Sequence, residues 1–258
     1  MANSLIRGLL AKGFQPSSII VADVDNEKLE VLSSEYGIRL ADNQSIAREA
    51  NVVVLAVKPQ VIEEVCTNIS LQADSSLVVS VAAGTTVALL EKWLGNSTAI
   101  IRSMPNTPAL IGKGATGLFA NKFVSGKQKD LAKALMDGVG ISVWVENESD
   151  MDTVTAVSGS GPAYYFLFME AMQETAAELG LSDDVAQQLI YQTALGAADL
   201  AMQSTDSTVQ LRRKVPSPNG TTEAAIKSFE ADHLRELVRK ALTAARDRSI
   251  ELAKKSNK

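Results

Sequence analysis

Residues 51–59 read NVVVLAVKP, and residues 76–84 read SLVVSVAAG. Both are short Val- and Leu-rich runs that break into Lys-Pro or Ala-Gly. Their length and β-branched content make them strands. Their lack of alternation makes them strands buried on both faces, as in a parallel sheet flanked by helices. The first is expected at the centre of that sheet. Upstream, SSIIVAD reads as a strand, and Asn26–Tyr36 as a helix with Leu29 and Leu32 inward and Gly37 as its stop. A short IRL strand and NQSIAREA follow. Downstream, QVIEEVCTNI and TTVALLEKWL read as helices and TAIIRSM as a strand between them and GATGLFA. A helix at about 125–137 and the strand ISVWVE close the region. Strands and helices alternating at this spacing build a parallel sheet through right-handed crossovers.

The pattern changes near Ser149. SGSGPAYYFLFMEAMQETAAELG has Pro162 at a helix start and Gly180 at its end. A second helix runs from Asp183 to about Ala201 with Leu189, Ile190 and Leu195 inward, and a mostly polar one from Asp232 to Lys254. YYFLFMEAM is expected to be core or dimer interface. The chain is therefore expected to be α/β, with a parallel-sheet domain over residues 1–147 and an all-α domain over 148–258.

The bulk numbers exclude several classes. The 258 residues are 46% hydrophobic but 5% aromatic, which suits a core of Ala, Val, Leu and Ile. A net charge of -5 with scattered Lys and Arg argues against a nucleic-acid surface. No apolar run approaches the roughly 20 residues of a membrane span, and no signal peptide is evident, so a cytoplasmic protein is expected. One cysteine and one histidine leave no internal disulfide, His-rich zinc site or Ser-His-Asp triad within one chain. No metal is expected. Cys66 reads as a small packed residue and His233 as a solvated helix residue.

In parallel sheets ligands bind at the carboxyl ends of the strands. Those ends carry Asp23, the pair Lys58 and Pro59, the AAG at 82–84 and the MPNTP at 104–108. In a dinucleotide-binding sheet a carboxylate at Asp23 holds the ribose 2′-hydroxyl and repels a 2′-phosphate. Such a sheet opens with a strand and a Gly-x-Gly-x-x-Gly/Ala turn on the pyrophosphate. This chain opens on MANSLIRGLLAKG, an amphipathic helix with Leu5, Ile6, Leu9 and Leu10 on one stripe. Ala2 stands where the turn's last small residue belongs, and the first strand and two glycines are missing. Met1 is therefore expected to be an internal methionine, preceded in the native protein by roughly ten residues of strand and Gly-rich turn.

A second candidate lies in the helical half. No Arg occurs between Arg102 and Arg212, and no Lys between Lys133 and Lys214. A carboxylated ligand there must be caught by N–H groups and hydroxyls. VPSPNGTTEAAI offers them: Pro216 and Pro218 stiffen the approach, Asn219 and Gly220 turn the chain, and Thr221 and Thr222 open a helix. The stretch reads equally as an anion nest or as a turn with a threonine cap.

LAVKP, VAAG, MPNTPA, VSGSGPAY and LRRKVPSPNGTTEA, in this order, resemble the pyrroline-5-carboxylate reductases over essentially the whole chain. The resemblance implies a Rossmann domain, an interlocking helical dimerisation domain, and hydride transfer from NADPH, with NADH as the other donor, to 1-pyrroline-5-carboxylate, giving L-proline. It also implies a homodimer or a ring of dimers, with no nucleic-acid or membrane partner. Ala2, Asp23, Asn43, Ala56, Val57, Lys58, Pro59, Val81, Ala82, Ala83 and Asn106 match cofactor-binding positions. Glu148, Gly220, Thr221 and Thr222 match substrate-binding ones. Thr222, whose hydroxyl would orient the imine nitrogen, and Ser217 of the turn are the expected catalytic residues. Asn219 replaces the family's usual Gly, and Asp23 a usual Ser or Thr. A β-hydroxyacid dehydrogenase shares the layout but needs a catalytic Lys that the Lys-free stretch denies. The other alternative is a catalytically silent dimerisation partner lacking the phosphate loop.

The expectation about Met1 is checked by reading the in-frame codons upstream. An apolar run ending in Gly-x-Gly-Asn supports it, and a stop codon refutes it.

Overall fold

Two adjacent side chains near the start, Leu5 and Ile6, enter different cores. Both lie on α1 (Ala2–Ala11). Leu5 packs into the cluster of Leu77, Val79, Ile101 and Met136, and Ile6 into that of Leu32 and Ile38. One helix thereby serves two sheets. The computed structural model describes residues 1–72 and 76–256. Packing divides them into a first unit, Met1–Pro162 with Ala244–Lys258, and a second, Ala163–Thr243.

The small sheet pairs β1 (Ile20–Val21) in parallel with β2 (Arg39–Leu40). Between them runs α2 (Asn26–Tyr36), and α3 (Asn43–Glu49) follows. Asp25 and Asp42 cap these helices by accepting the N–H groups of Lys28 and Ser45. SSIIVAD yields only the two residues of β1.

The larger sheet has the order β3-β4-β5-β6-β7: β3 (Val52–Leu55), β4 (Leu77–Ser80), β5 (Ala99–Met104), β6 (Gly114–Ala120) and β7 (Gly140–Trp144). One face is covered by α4 (Ile62–Thr67) and α5 (Val87–Leu94), the other by α1 and α6 (Gly126–Met136). β4 is buried at every position, as its continuous apolar run predicts. β3, expected at the sheet centre, stands at an edge among the described residues and alternates half-buried with buried. Among the described residues it pairs with β4 alone.

A second difference concerns direction. β5 and β6 are antiparallel, so the sheet is not wholly parallel. The cause is the connection: the chain between them makes only a tight 3-10 turn, Thr107–Ile111, which is too short for a crossover. β6 and β7, joined by α6, are parallel again.

After β7 come α7 (Asp150–Val154) and a π-helical turn, Thr155–Gly159, that periodicity did not reveal. Both pack against β6. A Cβ on Gly117 would lie 2.5 Å from Val154 Cγ1, so only glycine lets α7 come this close. Ser249 of the returning last helix donates to Asp152 Oδ1 at 2.7 Å, which ties residues 244–256 to this unit. By packing the chain thus divides beyond the expected 147/148 boundary.

The helical part comprises α8 (Gly161–Glu178), α9 (Asp183–Gln203), α10 (Thr208–Lys214), α11 (Thr221–Ala231) and α12 (Leu234–Ser256). α10 was not anticipated. His233 sits between α11 and α12 with φ 56° and is solvent-exposed. In the second unit Ala186 and Ile190 are the fully buried side chains among the described residues. Leu189 and Leu195, expected inward, are 56% and 53% exposed, as are Tyr165 at 69% and Phe166 at 63%. The 3.6-residue pattern located the apolar face, but a single chain does not cover it.

Cys66 is fully buried on α4, and burial pushes its thiol up to about 11. At pH 8 the native protein is expected to react with Ellman's reagent at a negligible rate and to release one equivalent of thiol on unfolding. Rapid native labelling would contradict this burial.

Candidate active site

The register of the larger sheet aligns the expected cofactor segments. Leu55 pairs with Ser80, and Ser80 with Arg102. Residues 56–59, 81–84 and 104–108 therefore leave neighbouring strands at one carboxyl edge. Ala56 and Val57 are half-buried there, and Lys58 and Pro59 are exposed. The Val81 N–H donates to the Leu55 carbonyl at 3.1 Å, which carries the ladder one residue past the strand. Ala82 is buried with its N–H 3.3 Å from Ser80 Oγ, Ala83 is exposed, and Gly84 turns the chain into α5 with φ 74°. Asn106, in the β5–β6 loop, is 8% exposed.

Asp23 follows β1 and Asn43 follows β2 at one end of the small sheet, because Val21 pairs with Leu40. Both residues are exposed. Asp25 caps α2, so Asp23 is spared that task; its Oδ1 accepts the Asp25 N–H at 3.1 Å. Ala2 is the exposed first residue of α1. Two positions on, Ser4 Oγ is buried with no hydrogen-bond partner.

Glu148 reaches this edge from the β7–α7 connection. Its Oε1 accepts the Val87 N–H at 2.7 Å, at the start of α5, and Arg102 Nη1 at 3.1 Å. The Arg102 side chain is 6% exposed and that of Glu148 28%. One carboxylate thus fixes β5, α5 and the chain before α7. Sequence reading missed Arg102, although an arginine inside the apolar run TAIIRSM needs a buried partner.

In the second unit, Ser217, Asn219, Gly220, Thr221 and Thr222 come together. Asn219 takes the left-handed conformation, φ 57°, and Gly220 caps α11. The Gly220 N–H donates to the Ser217 carbonyl at 3.0 Å. A side-chain carbon at 220 would meet Ser217 Oγ and crowd the Ser217 carbonyl, so glycine here is favoured by space rather than by φ. The N–H groups of Thr221, Thr222 and Glu223, first in the helix, have no acceptor among the described residues. Glu223, which sequence reading missed, accepts the Asn219 N–H at 2.8 Å and lies 2.5 Å from Lys227 Nζ. Lys227 first, then that N–H, holds its carboxyl below the ordinary range. The nest is thus partly occupied from within its own helix, by a carboxylate that a cation accompanies.

Two family models match the chain. Residues 1–84 match the family model described as NADP oxidoreductase coenzyme F420-dependent, and residues 148–252 the one described as Pyrroline-5-carboxylate reductase dimerisation. A pyrroline-5-carboxylate reductase from Pseudomonas aeruginosa is 48% identical over 98% of this chain and 93% of its own. The structure of a pyrroline-5-carboxylate reductase from Coxiella burnetii superposes with a TM-score of 0.92, at 47% identity, over 97% of this chain and 94% of its own. The Plasmodium falciparum pyrroline carboxylate reductase with NADP bound gives 0.82 at 28% identity, over 97% and 94%.

Sheet, strand-end loops and dimerisation helices define a nicotinamide-linked oxidoreductase that self-associates. More narrowly, the chain belongs to the pyrroline-5-carboxylate reductases. It is an NAD(P)H-dependent enzyme of proline biosynthesis, producing L-proline from 1-pyrroline-5-carboxylate, and the reading as a silent partner gives way.

Removing Glu148 strands a buried guanidinium. Glu148→Ala is expected to cost about 3 kcal/mol in urea unfolding, at the low end for buried pairs because Glu148 stays partly hydrated. The double variant Arg102→Met/Glu148→Gln should recover most of that loss. Equal destabilisation in the single and double variants would show that the pair carries no charge penalty.

Proposed function

We propose that the substrate's carboxylate is held at the Gly220 turn that starts α11 by the N–H groups of Thr221, Thr222 and Glu223, with Ser217 folded over the turn. The supporting observation is the three helix-start N–H groups without an acceptor, next to two hydroxyls and a glycine whose added Cβ would crowd Ser217. The Thr222 hydroxyl then accepts from or donates to the ring nitrogen and orients the imine. An iminium forms readily near neutral pH, so this group needs no acidic pKa. Positioning carries most of the acceleration.

The carboxyl edge of the first unit suits a reduced nicotinamide dinucleotide. Residues 56, 82 and 83 are alanines and residue 84 is glycine, which leaves backbone open to a flat ring and a ribose. Ala56, Val57, Lys58 and Pro59 with Val81, Ala82 and Ala83 would hold it, with the loop that Asn106 anchors alongside, helped by Ala2 and, towards the adenosine, Asp23 and Asn43. When bound, that group supplies the hydride. Glu148 supports the edge from behind through the start of α5. Asp23 keeps one carboxylate oxygen clear of its own turn, which favours a ribose hydroxyl and lets NADH compete with NADPH.

The proposed assembly is a homodimer through the helical part, with dimers grouped into a ring, working in the cytoplasm. Among the described residues no helix is long and apolar enough to cross a membrane.

Thr222→Ala is expected to lower kcat/KM for imine reduction about 100-fold, with Thr222→Ser retaining most activity; an unchanged Thr222→Ala enzyme would sink this assignment. Gly220→Ala should raise the substrate KM with little effect on the cofactor KM. Asp23→Ser should raise the ratio of kcat/KM with NADPH to that with NADH, and a fixed ratio would remove Asp23 from the cofactor site.

A further inference from the structure

The π-helical turn belongs to the motif VSGSGPAY, to which the proposed function gives no role. The turn spans Thr155–Gly159, with the Ser160 N–H bonded to the Thr155 carbonyl at 2.8 Å. Such widened turns concentrate where function requires them. In an ordinary helix the Ser158 carbonyl would accept from residue 162, but residue 162 is proline and has no N–H to give. The acceptor is satisfied from outside the helix: Asn106 Nδ2 donates to the Ser158 carbonyl at 3.1 Å. The other end of the same amide, Asn106 Oδ1, accepts the Ala115 N–H at 2.9 Å. Asn106 is buried, and both functions of its side chain are spent inside the protein.

The neighbouring packing repeats the arrangement. A Cβ on Gly159 would lie 2.5 Å from Met104 Cε, so the strand end and the turn interlock at a second point. Loop and turn are held together by one polar and one apolar contact. Beyond Asn106 the loop faces solvent, with Leu110 and Ile111 exposed.

We propose that Asn106 is a positioning residue: by filling the carbonyl that Pro162 leaves unpaired, it fixes the loop at 104–108 on the carboxyl edge and so sets how closely hydride donor and acceptor approach. The inference rests on the edge reading above for its catalytic consequence, though the tether itself does not. A loop released by a fraction of an ångström keeps its ligands but loses alignment, and misplacement of about 1 Å costs about 100-fold in rate.

Asn106→Asp isolates the contact, because it keeps the acceptor for Ala115 and removes the donor for Ser158. Hydrogen exchange in the cofactor-free protein should accelerate in peptides covering 104–113 and 155–160. The NADPH dissociation constant, read by fluorescence, should stay within about 3-fold, since the adenosine end is untouched. kcat should fall about 10-fold or more, with a larger primary isotope effect from 4-deuterated NADPH as hydride transfer becomes more rate-limiting. A second variant separates positioning from simple satisfaction of a buried carbonyl. Asn106→Asp/Pro162→Ala gives Ser158 a partner within its own helix. Thermal stability should recover while the isotope effect stays high. The proposal is overturned if the double variant restores the isotope effect, or if Asn106→Asp lowers only stability and leaves kcat per folded enzyme unchanged. Accelerated exchange with normal kcat and isotope effect would likewise overturn it and leave only a structural tether, whereas the edge reading fails separately, if substitutions at Ala56, Ala82 and Ala83 leave the NADPH dissociation constant unchanged.

Discussion

The first unit depends on a guanidinium that has been taken out of water. Arg102 sits in the middle of the sheet's apolar strand, and no water can solvate it as it would on the surface. Glu148 must therefore come to it, and in doing so brings the segment before α7 against the start of α5. A charge that has to be neutralised makes three distant stretches of chain meet at one oxygen. The loops that leave β3, β4 and β5 inherit their spacing from that meeting. Electrostatic need acts here as a geometric constraint, and its cost in desolvation is accepted where alignment matters.

Much of the fold was legible because its signals are local. Val-rich runs, helical stripes and the stops at Gly37 and Gly180 each declare an element within a few residues of themselves. Strand direction is not of that kind. GATGLFA reads as a strand whichever way it runs, and only the short connection from β5 decides that it runs backwards. The π-helical turn was hidden for a related reason. Pro162 announces a missing donor, but the partner that replaces it is Asn106, far away in sequence. Burial of Leu189 and Leu195 failed differently: periodicity identifies an apolar face, not the molecule that covers it.

The site divides along the same line. Backbone-built features were readable, since Asn219-Gly220 and the paired threonines determine their own turn and helix start. Small residues after apolar strands likewise located the carboxyl edge. Features built by long-range pairing were not readable. Glu148 was expected on the substrate; its Oε1 also binds α5 and Arg102, and nothing near residue 148 in sequence indicates that pairing. Glu223 lay in plain view, but its bond to Asn219 depends on the left-handed bend between them. Asp23 and Asp25 show the same limit at short range, for either could have capped α2.

The second unit carries a further implication for the life of the chain. Its helices bury almost nothing by themselves, with Tyr165, Phe166, Leu189 and Leu195 all facing outward. Hydrophobic burial is the main force that offsets the entropy of ordering. A freshly made protomer therefore finishes maturing only by meeting a sibling, and this step is second order in concentration. Scarcity delays it, crowding on one messenger hastens it, and a damaged copy would entangle a sound one and spoil both.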